Sequence, residues 1–513
     1  MVKISCDVGM RGTAETGRAK QRSFGLGFMR QSNARLRCGK EDCPAGDVRS
    51  IVSVQPMQPF RFSLVAGCVL ALATCAFSQA AKPNIIYLLA DDLGYGDLGS
   101  YGQKLIRTPR LDRMAQEGMR FTQHYAGAPS CQPSRTVLMT GLHGGHTFIR
   151  ANSKLPLRAA DRTFPSALKE VGYATGAVGK WGLGDLDSTG SPSAKGIDEF
   201  FGFIDQGHAH THYPDYLWKN GRRVEIPENT DGRRAVYSQD MFIRETLDFV
   251  RRHKDRPFFF FGAFTLPHAE VAVPEDSLAE YRGKWPEPKP FPGAKTYSAQ
   301  KEPRAARAAM ITRLDRDIGR LLDLLDELKL SANTLVIFAS DNGPITAGGQ
   351  DPEFFDSNGP LRDLKFTLYE GGIRVPFIAR WPGQIARGSE SPLVSDFADM
   401  FPTFATLAGA NIPAGLDGVS LVPTLTGQPT KQVLRDHFYW EAAPQQAVRR
   451  GNWKAFRAAP GRPVELYDLA TDVGETKNVA SAQPSVAAAL EKLLASARTE
   501  SPDFPLARKS KGN

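Results

Sequence analysis

The sequence predicts an α/β fold: a large central, mostly parallel sheet flanked by helices, followed by a smaller α+β domain. Three observations predict it. Short apolar runs recur along the middle of the chain, each the length of a strand buried on both faces. They alternate with amphipathic segments of helical period, the longest of which carries apolar residues at three- and four-residue steps. A break in composition near Gly427–Thr430 then separates a last segment with strand-like pieces and one helix.

The elements follow in chain order. Asn84–Ala90 (NIIYLLA), Pro257–Phe264 (PFFFFGAF), Thr334–Ser340 (TLVIFAS) and Val375–Ala379 read as buried strands. From about Arg304 to Leu330, Met310, Leu314, Ile318, Leu321, Leu325 and Leu328 fall on one face of a helix. Pro/Gly-rich stretches at 186–196 and 283–295 read as surface loops over the sheet. After the break, Asp436–Trp440 and Ala447–Phe456 read as strands and Pro484–Ala497 as a helix. No internal repeat and no long charge run is present.

The amino-terminal part reads differently. Phe62–Phe77 (FSLVAGCVLALATCAF) is apolar, follows Arg61 and ends before Ser78-Gln79-Ala80, so residues 57–80 have the layout of a signal peptide cleaved before Ala81. It is short for a bilayer crossing, and no stable membrane span is expected. Residues 1–56 then read as a mis-called start or a disordered extension. Leu72-Ala73-Thr74-Cys75 resembles a lipid-attachment box, with Thr74 a poor fit. An exported, periplasmic or secreted protein is expected. The formal charge of +9 shrinks accordingly: residues 81–513 carry 53 Lys/Arg against 50 Asp/Glu, which gives no basis for nucleic-acid binding. Five of the six cysteines precede residue 81, leaving Cys131 with no disulfide partner.

Two predicted strands run directly into acidic pairs, Asp91-Asp92 and Asp341-Asn342. Ligands collect at the carboxyl ends of strands in open α/β sheets, and three carboxylates with an amide oxygen suit a hard cation, Ca²⁺ or Mg²⁺. Helix caps and turns are the plainer use of the same residues. The most specific motif is Ser130-Cys131-Gln132-Pro133-Ser134-Arg135 with Thr140-Gly141. Pro133 and Ser134 suit the first turn of a helix, which places Cys131 at its positive end and Arg135 on the same turn.

On these residues the chain resembles the type I sulfatases of the alkaline-phosphatase superfamily. Their maturation motif, Cys-x-Pro-Ser-Arg followed by Thr-Gly, stands intact from Cys131 to Gly141. Gly172-Tyr173-Ala174-Thr175 with Gly179-Lys180-Trp181, then Asp341-Asn342-Gly343, Lys365 with Tyr369-Glu370-Gly371-Gly372, and Leu466-Tyr467-Asp468-Leu469 resemble further family blocks. The resemblance implies an alkaline-phosphatase-like catalytic domain over 81–428 and a smaller α+β domain with an antiparallel sheet over 429–513. It implies that a maturation enzyme oxidises Cys131 to formylglycine, whose hydrate attacks sulfur. A cation, Ca²⁺ before Mg²⁺, would be held by Asp91, Asp92, Asp341, Asn342 and the modified residue 131. Arg135, Lys180, Lys365 and His268 match the positions that surround the sulfuryl group.

One block departs from the pattern: a histidine normally follows Lys-Trp, and here Gly182 does. Either its proton-transfer role passes to another side chain, with His143, His146, His208, His210 and His212 the candidates and His146 and His210 preferred, or turnover is impaired. The same histidine-rich segment (GHAHTHYPDYLW) also admits a zinc site, while its Tyr213, Tyr216 and Trp218 could stack on a sugar. The implied activity is hydrolysis of a sulfate ester, on a sulfated carbohydrate or other sulfated small molecule. A phosphonate or phosphate ester hydrolase of the same superfamily and a non-catalytic binder of sulfated glycans are the alternatives. Loops near 186–230 and 270–300 are where selectivity would reside.

Overall fold

The computed structural model describes residues 82–294 and 296–507. The proposed signal segment 57–80 and residues 1–56 lie outside them. The apolar runs form the middle of a ten-stranded mixed sheet. Across it the order is Ser389–Ser391, Met119–Phe121, Phe377–Arg380, Thr334–Ser340, Asn84–Ala90, Phe258–Ala263, Ala174–Lys180, Glu199–Phe203, Tyr216–Lys219 and Arg222–Glu225. The five strands from Thr334–Ser340 to Glu199–Phe203 are mutually parallel. Phe377–Arg380 runs antiparallel to its neighbours on both sides, and a hairpin closes the far edge.

Period-two geometry splits each central strand between two cores. Ile86, Leu88 and Ala90 face one side, where the Pro109–Glu117, Ser238–His253 and Pro303–Glu327 helices pack. Ile85, Tyr87 and Leu89 face the other, against Cys131–Thr140, Phe164–Glu170 and Met400–Ala408. The long helix is the one expected, with Met310, Leu314, Ile318, Leu321 and Leu325 buried along one face.

The carboxy-terminal segment forms a separate four-stranded antiparallel sheet: Phe438–Ala442, Gln445–Arg450, Trp453–Arg457 and Glu465–Asp468. The expected single strand 447–456 is in fact two, because Gly451 adopts φ 58° and turns the chain. One face of this sheet buries Ala487, Leu490 and Leu494 of the Pro484–Ser496 helix. Its other face sets Phe438, Trp440 and Phe456 against Tyr125, Leu368 and Ile373. The second sheet therefore backs directly onto the loop that follows Lys365. Among the described residues no helix is long and apolar enough to cross a membrane.

Candidate active site

The site lies where parallel strands end. Asn84–Ala90 delivers Asp91 and Asp92, Thr334–Ser340 delivers Asp341 and Asn342, and Ala174–Lys180 ends on Lys180. Phe258–Ala263 leads within five residues to His268. All of these side chains are buried. Cys131 opens the Cys131–Thr140 helix behind the extended residue Ser130, so the positive end of the helix faces the same point. Asp92 itself is held at φ 65°, a left-handed conformation that aspartate tolerates better than most residues.

Cations and carboxylates interlock around Cys131. Lys365 Nζ lies 3.2 Å from Cys131 Sγ and donates to Asp92 Oδ1 at 2.5 Å. Cys131 Sγ lies 3.4 Å from Asp91 Oδ1. Asp91 Oδ2 accepts from Lys180 Nζ at 2.8 Å and from Arg135 at 3.0 Å, while Arg135 also donates twice to Asp341 Oδ2, at 2.9 and 3.0 Å. Arg135 further donates to the carbonyl of Lys180 at 2.5 Å. The guanidinium fork thus ties three strand ends to one helix, a geometry lysine cannot reproduce.

Burial alone would raise the Asp91 carboxyl, but the charges of Lys180, Arg135 and Lys365 together hold it well below its usual range. Asp341, buried beside Asp91, is pushed up to about 6. Burial also pushes the Cys131 thiol up to about 12, with Asp91 adding to the shift, so the unmodified side chain is a neutral thiol. His268 is driven down to about 3 by burial and is neutral. Its Nδ1 faces the carbonyl of Ala269, which fixes the ring proton there and leaves Nε2 toward the site, 3.5 Å from Asp92 Oδ2.

The donor set fits a hard cation. Asp92 Oδ2 and Asn342 Oδ1 are buried with no hydrogen-bond partner, a costly state that a bound cation relieves. Ligand atoms of Asp91, Asp92, Cys131 and His268 all lie within 4.8 Å of one another. Carboxylate and amide oxygens in this number favour Ca²⁺ or Mg²⁺ over softer metals.

The candidate histidines separate. His210, on the turn His208–His210, stacks on His268 with ring centroids 5.0 Å apart and planes 17° apart. Its Nδ1 is buried and unpartnered, and burial, reinforced by Lys180, holds its pKa below the usual histidine value. His146 does not join this group. It bonds Asp417 through Nδ1 at 2.9 Å and stacks on His143, in a separate cavity with His437. His212 is a buried hydrogen-bonding residue that contacts the carbonyl of His268 at 3.1 Å and Thr265. His208 packs on Tyr216 and Phe203. The three histidines of the 208–212 segment thus point to different neighbours and form no shared metal site. Nor are its aromatics free for a sugar: Tyr216 packs on His208 and carries the Arg223 guanidinium over its ring, Tyr213 packs on Tyr237, and Trp218 packs against the core.

At Gly182 the backbone stands at φ 68°, and a Cβ would lie 2.4 Å from Gln206 Nε2. The position is shaped for glycine. Sequence reasoning missed two neighbours. Tyr297, whose ring lies 5.4 Å from that of His210, sits in a loop without periodicity. Phe366 is named by no motif, although it directly follows Lys365.

Comparison with known proteins agrees with this geometry. The Sulfatase family matches residues 83–410, and the family described as N-sulphoglucosamine sulphohydrolase, C-terminal, matches residues 362–500. The N-acetylgalactosamine-6-sulfatase of Canis lupus familiaris is 35% identical over 398 residues, covering 73% of this chain and 71% of its own. The N-acetylgalactosamine-6-O-sulfatase of Bacteroides thetaiotaomicron is 30% identical over 540 residues, 88% of this chain and all of its own. The crystal structure of Ps i-CgsB, also solved with k-i-k-neocarrahexaose, superposes with a TM-score of 0.69 at 27% identity, over 83% of this chain and 95% of that one. With strand-end carboxylates, a helix-capping Cys-x-Pro-Ser-Arg motif and these relatives, the chain belongs to the sulfatase family of enzymes.

Proposed function

We propose that this enzyme hydrolyses the sulfate ester of a sulfated carbohydrate, with a formylglycine made from Cys131 by a maturation enzyme and a divalent cation, Ca²⁺ or Mg²⁺, held by Asp91, Asp92, Asp341 and Asn342. One observation carries the reading: Cys131 stands at a helix N-terminus, within 3.4 Å of both Asp91 and Lys365, beside two unpartnered cation-seeking oxygens. The hydrated formylglycine would supply the attacking hydroxyl, and the cation the positive charge that favours its ionised form. Cys131 Sγ marks the place of that hydroxyl. Around it, Lys180 and Lys365 offer N–H donors to the sulfuryl oxygens, while Arg135 keeps Asp91 and Asp341 ionised and fixed. His268 and His210 move protons at the leaving oxygen and the nucleophile, His210 taking the place that Gly182 leaves empty. Relatives named for N-acetylgalactosamine 6-sulfate support a sulfated hexosamine as substrate. The 57–80 segment supports export to the periplasm or medium, where such polymers are met.

The test is mass spectrometry of the tryptic peptide Phe121–Arg135 from protein co-expressed with a formylglycine-generating enzyme, together with hydrolysis of N-acetylgalactosamine 6-sulfate and an aryl sulfate. The expected result is an aldehyde or its hydrate at residue 131, with turnover abolished by chelation and restored by Ca²⁺ or Mg²⁺. An unmodified thiol in active enzyme, or turnover of aryl phosphate in preference to sulfate, overturns the reading.

A further inference from the structure

Phe366 breaks two rules at once. It is 52% exposed, the one aromatic among the exposed large hydrophobic side chains of the described residues, and its backbone stands at φ 73°. A bulky side chain in the left-handed region is a genuine outlier, and such strain persists only where surrounding contacts enforce it. Here they do. The Phe366 amide donates to the carbonyl of Pro129 at 2.8 Å, two residues before Cys131. The Phe366 carbonyl accepts from Gln445 Nε2 at 3.2 Å, and the same side chain accepts from the amide of Leu368 at 3.1 Å. The Lys365 amide donates to the carbonyl of Pro344 at 2.9 Å. Three separate parts of the chain thus fix a conformation whose visible result is an apolar ring turned to solvent.

The ring is close to the chemistry. Lys365 Nζ lies 5.3 Å from its centroid and 3.2 Å from Cys131 Sγ. The ring and the nucleophile position are therefore no farther apart than those two distances laid end to end, which is about the reach of one sugar ring joined to a sulfate. Gln445 opens the second strand of the carboxy-terminal sheet, so that sheet itself takes part in aiming the ring. The aromatics of the 213–218 segment are packed among protein groups, whereas Phe366 has the Lys365 ammonium on one side and is otherwise half exposed.

We propose that Phe366 is a stacking platform for the hexose ring that carries the sulfate ester. One face of a hexose presents polarised C–H groups, and these settle on the electron-rich face of an aromatic ring while the hydroxyls point to water and to the site. Lys365 on one side of the ring then reaches the sulfuryl group as Phe366 bears the sugar, so one loop reads both parts of the substrate. The proposal rests on the carbohydrate-sulfate reading above.

The test uses matured, metal-loaded wild type and the variants Phe366→Ala, Phe366→Trp and Phe366→Gly. N-acetylgalactosamine 6-sulfate heads a panel of hexose and hexosamine sulfates as substrates, and inorganic sulfate serves as inhibitor. Phe366→Ala is expected to raise KM for the sugar sulfate about tenfold, with the smaller part of the effect on kcat, and Phe366→Trp to bring it back within about threefold. Inorganic sulfate, which has no sugar to stack, is expected to keep its inhibition constant in all three. Phe366→Gly relieves the left-handed strain, so its Tm is expected at or above that of wild type while its KM rises as in Phe366→Ala. An unchanged KM in the alanine and glycine variants overturns the platform alone. So does an inhibition constant for inorganic sulfate that rises in step with KM, because the effect then runs through Lys365. A wild-type enzyme carrying formylglycine that hydrolyses no sugar sulfate overturns the substrate reading, and the platform with it.

Discussion

Lys454 ties the stability of the carboxy-terminal sheet to the segment that follows Lys365. It rises from the carboxy-terminal sheet, fully buried, and its Nζ lies 2.9 Å from Glu370 and 2.8 Å from Glu475, both also buried. At an effective dielectric constant of about 20, each contact is worth about 6 kcal/mol of gross Coulomb energy, most of which desolvation offsets. Lys454→Met keeps the volume and removes the charge, leaving two carboxylates that Arg374, 3.2 Å from Glu370, cannot both neutralise. Breaking a buried pair in this way costs roughly 3–5 kcal/mol. Over some 430 folded residues that lowers Tm by about 4 °C. The cost depends on pH. Burial already raises the Glu475 carboxyl in the wild type, and without Lys454 it rises further, so the folded variant binds a proton that the unfolded chain has lost. A group raised on folding contributes stability that fades as pH climbs from its unfolded to its folded pKa. The deficit should therefore grow by up to about 1.4 kcal/mol per pH unit above pH 4.5, for one proton. Urea titrations of Lys454→Met and wild type at pH 5 and pH 7 measure it. A deficit that is the same at both pH values, or below about 1 kcal/mol at pH 7, refutes the argument. Because Glu370 also accepts from Tyr125 and follows Lys365 by five residues, kcat/KM should fall along with stability.

Two further outcomes follow from the histidines. His210→Ala should lower kcat on the order of 100-fold, while His146→Ala, whose partner is Asp417, should stay within about twofold of wild type; steady-state kinetics on one sugar sulfate decides, and the opposite pattern sinks the assignment. Restoring a histidine by Gly182→His should fail to raise kcat and should cost about 1–2 kcal/mol of stability, because the side chain meets a left-handed backbone and Gln206; an unshifted urea midpoint contradicts this.

Much of the site was legible because its signals are local. An apolar run that stops on Asp-Asp or Asp-Asn is a strand ending at a charged place, and Cys-x-Pro-Ser-Arg is the first turn of a helix before any fold is known. The long Pro303–Glu327 helix was equally plain, since 25 residues of one period leave little choice. What was hidden depended on distant partners. Ala174–Lys180 contains two internal glycines and reads poorly as a strand, yet Gly176 is required where Phe249 packs: a Cβ there would lie 2.4 Å from the Phe249 ring. His146 and His210 look alike in sequence, and only Asp417, 271 positions away, removes one of them. Phe366 gave no signal at all, because positive φ at a phenylalanine is imposed by Pro129 and Gln445 rather than by its neighbours in the chain.

The exchange at Gly182 has a topological logic. Ala174–Lys180 and Glu199–Phe203 are adjacent parallel strands with Lys180 paired to Phe203, and the pairing continues past both ends: the Trp181 amide donates to Phe203 at 2.9 Å and the Gly182 amide to Ile204 at 3.1 Å. The two chains thus leave the sheet side by side at the same edge of the site. A proton-transfer group lost from the first exit can be supplied by the second after a short excursion, and His210 lies seven residues beyond Phe203. The carboxyl ends of parallel strands converge on one crevice, so what chemistry demands there is a nitrogen at a place, not a residue on a particular strand. The proposed relocation is compatible with glycine at 182: the left-handed backbone there disfavours a side chain, and the Gln206 amide already lies where a Cβ would stand.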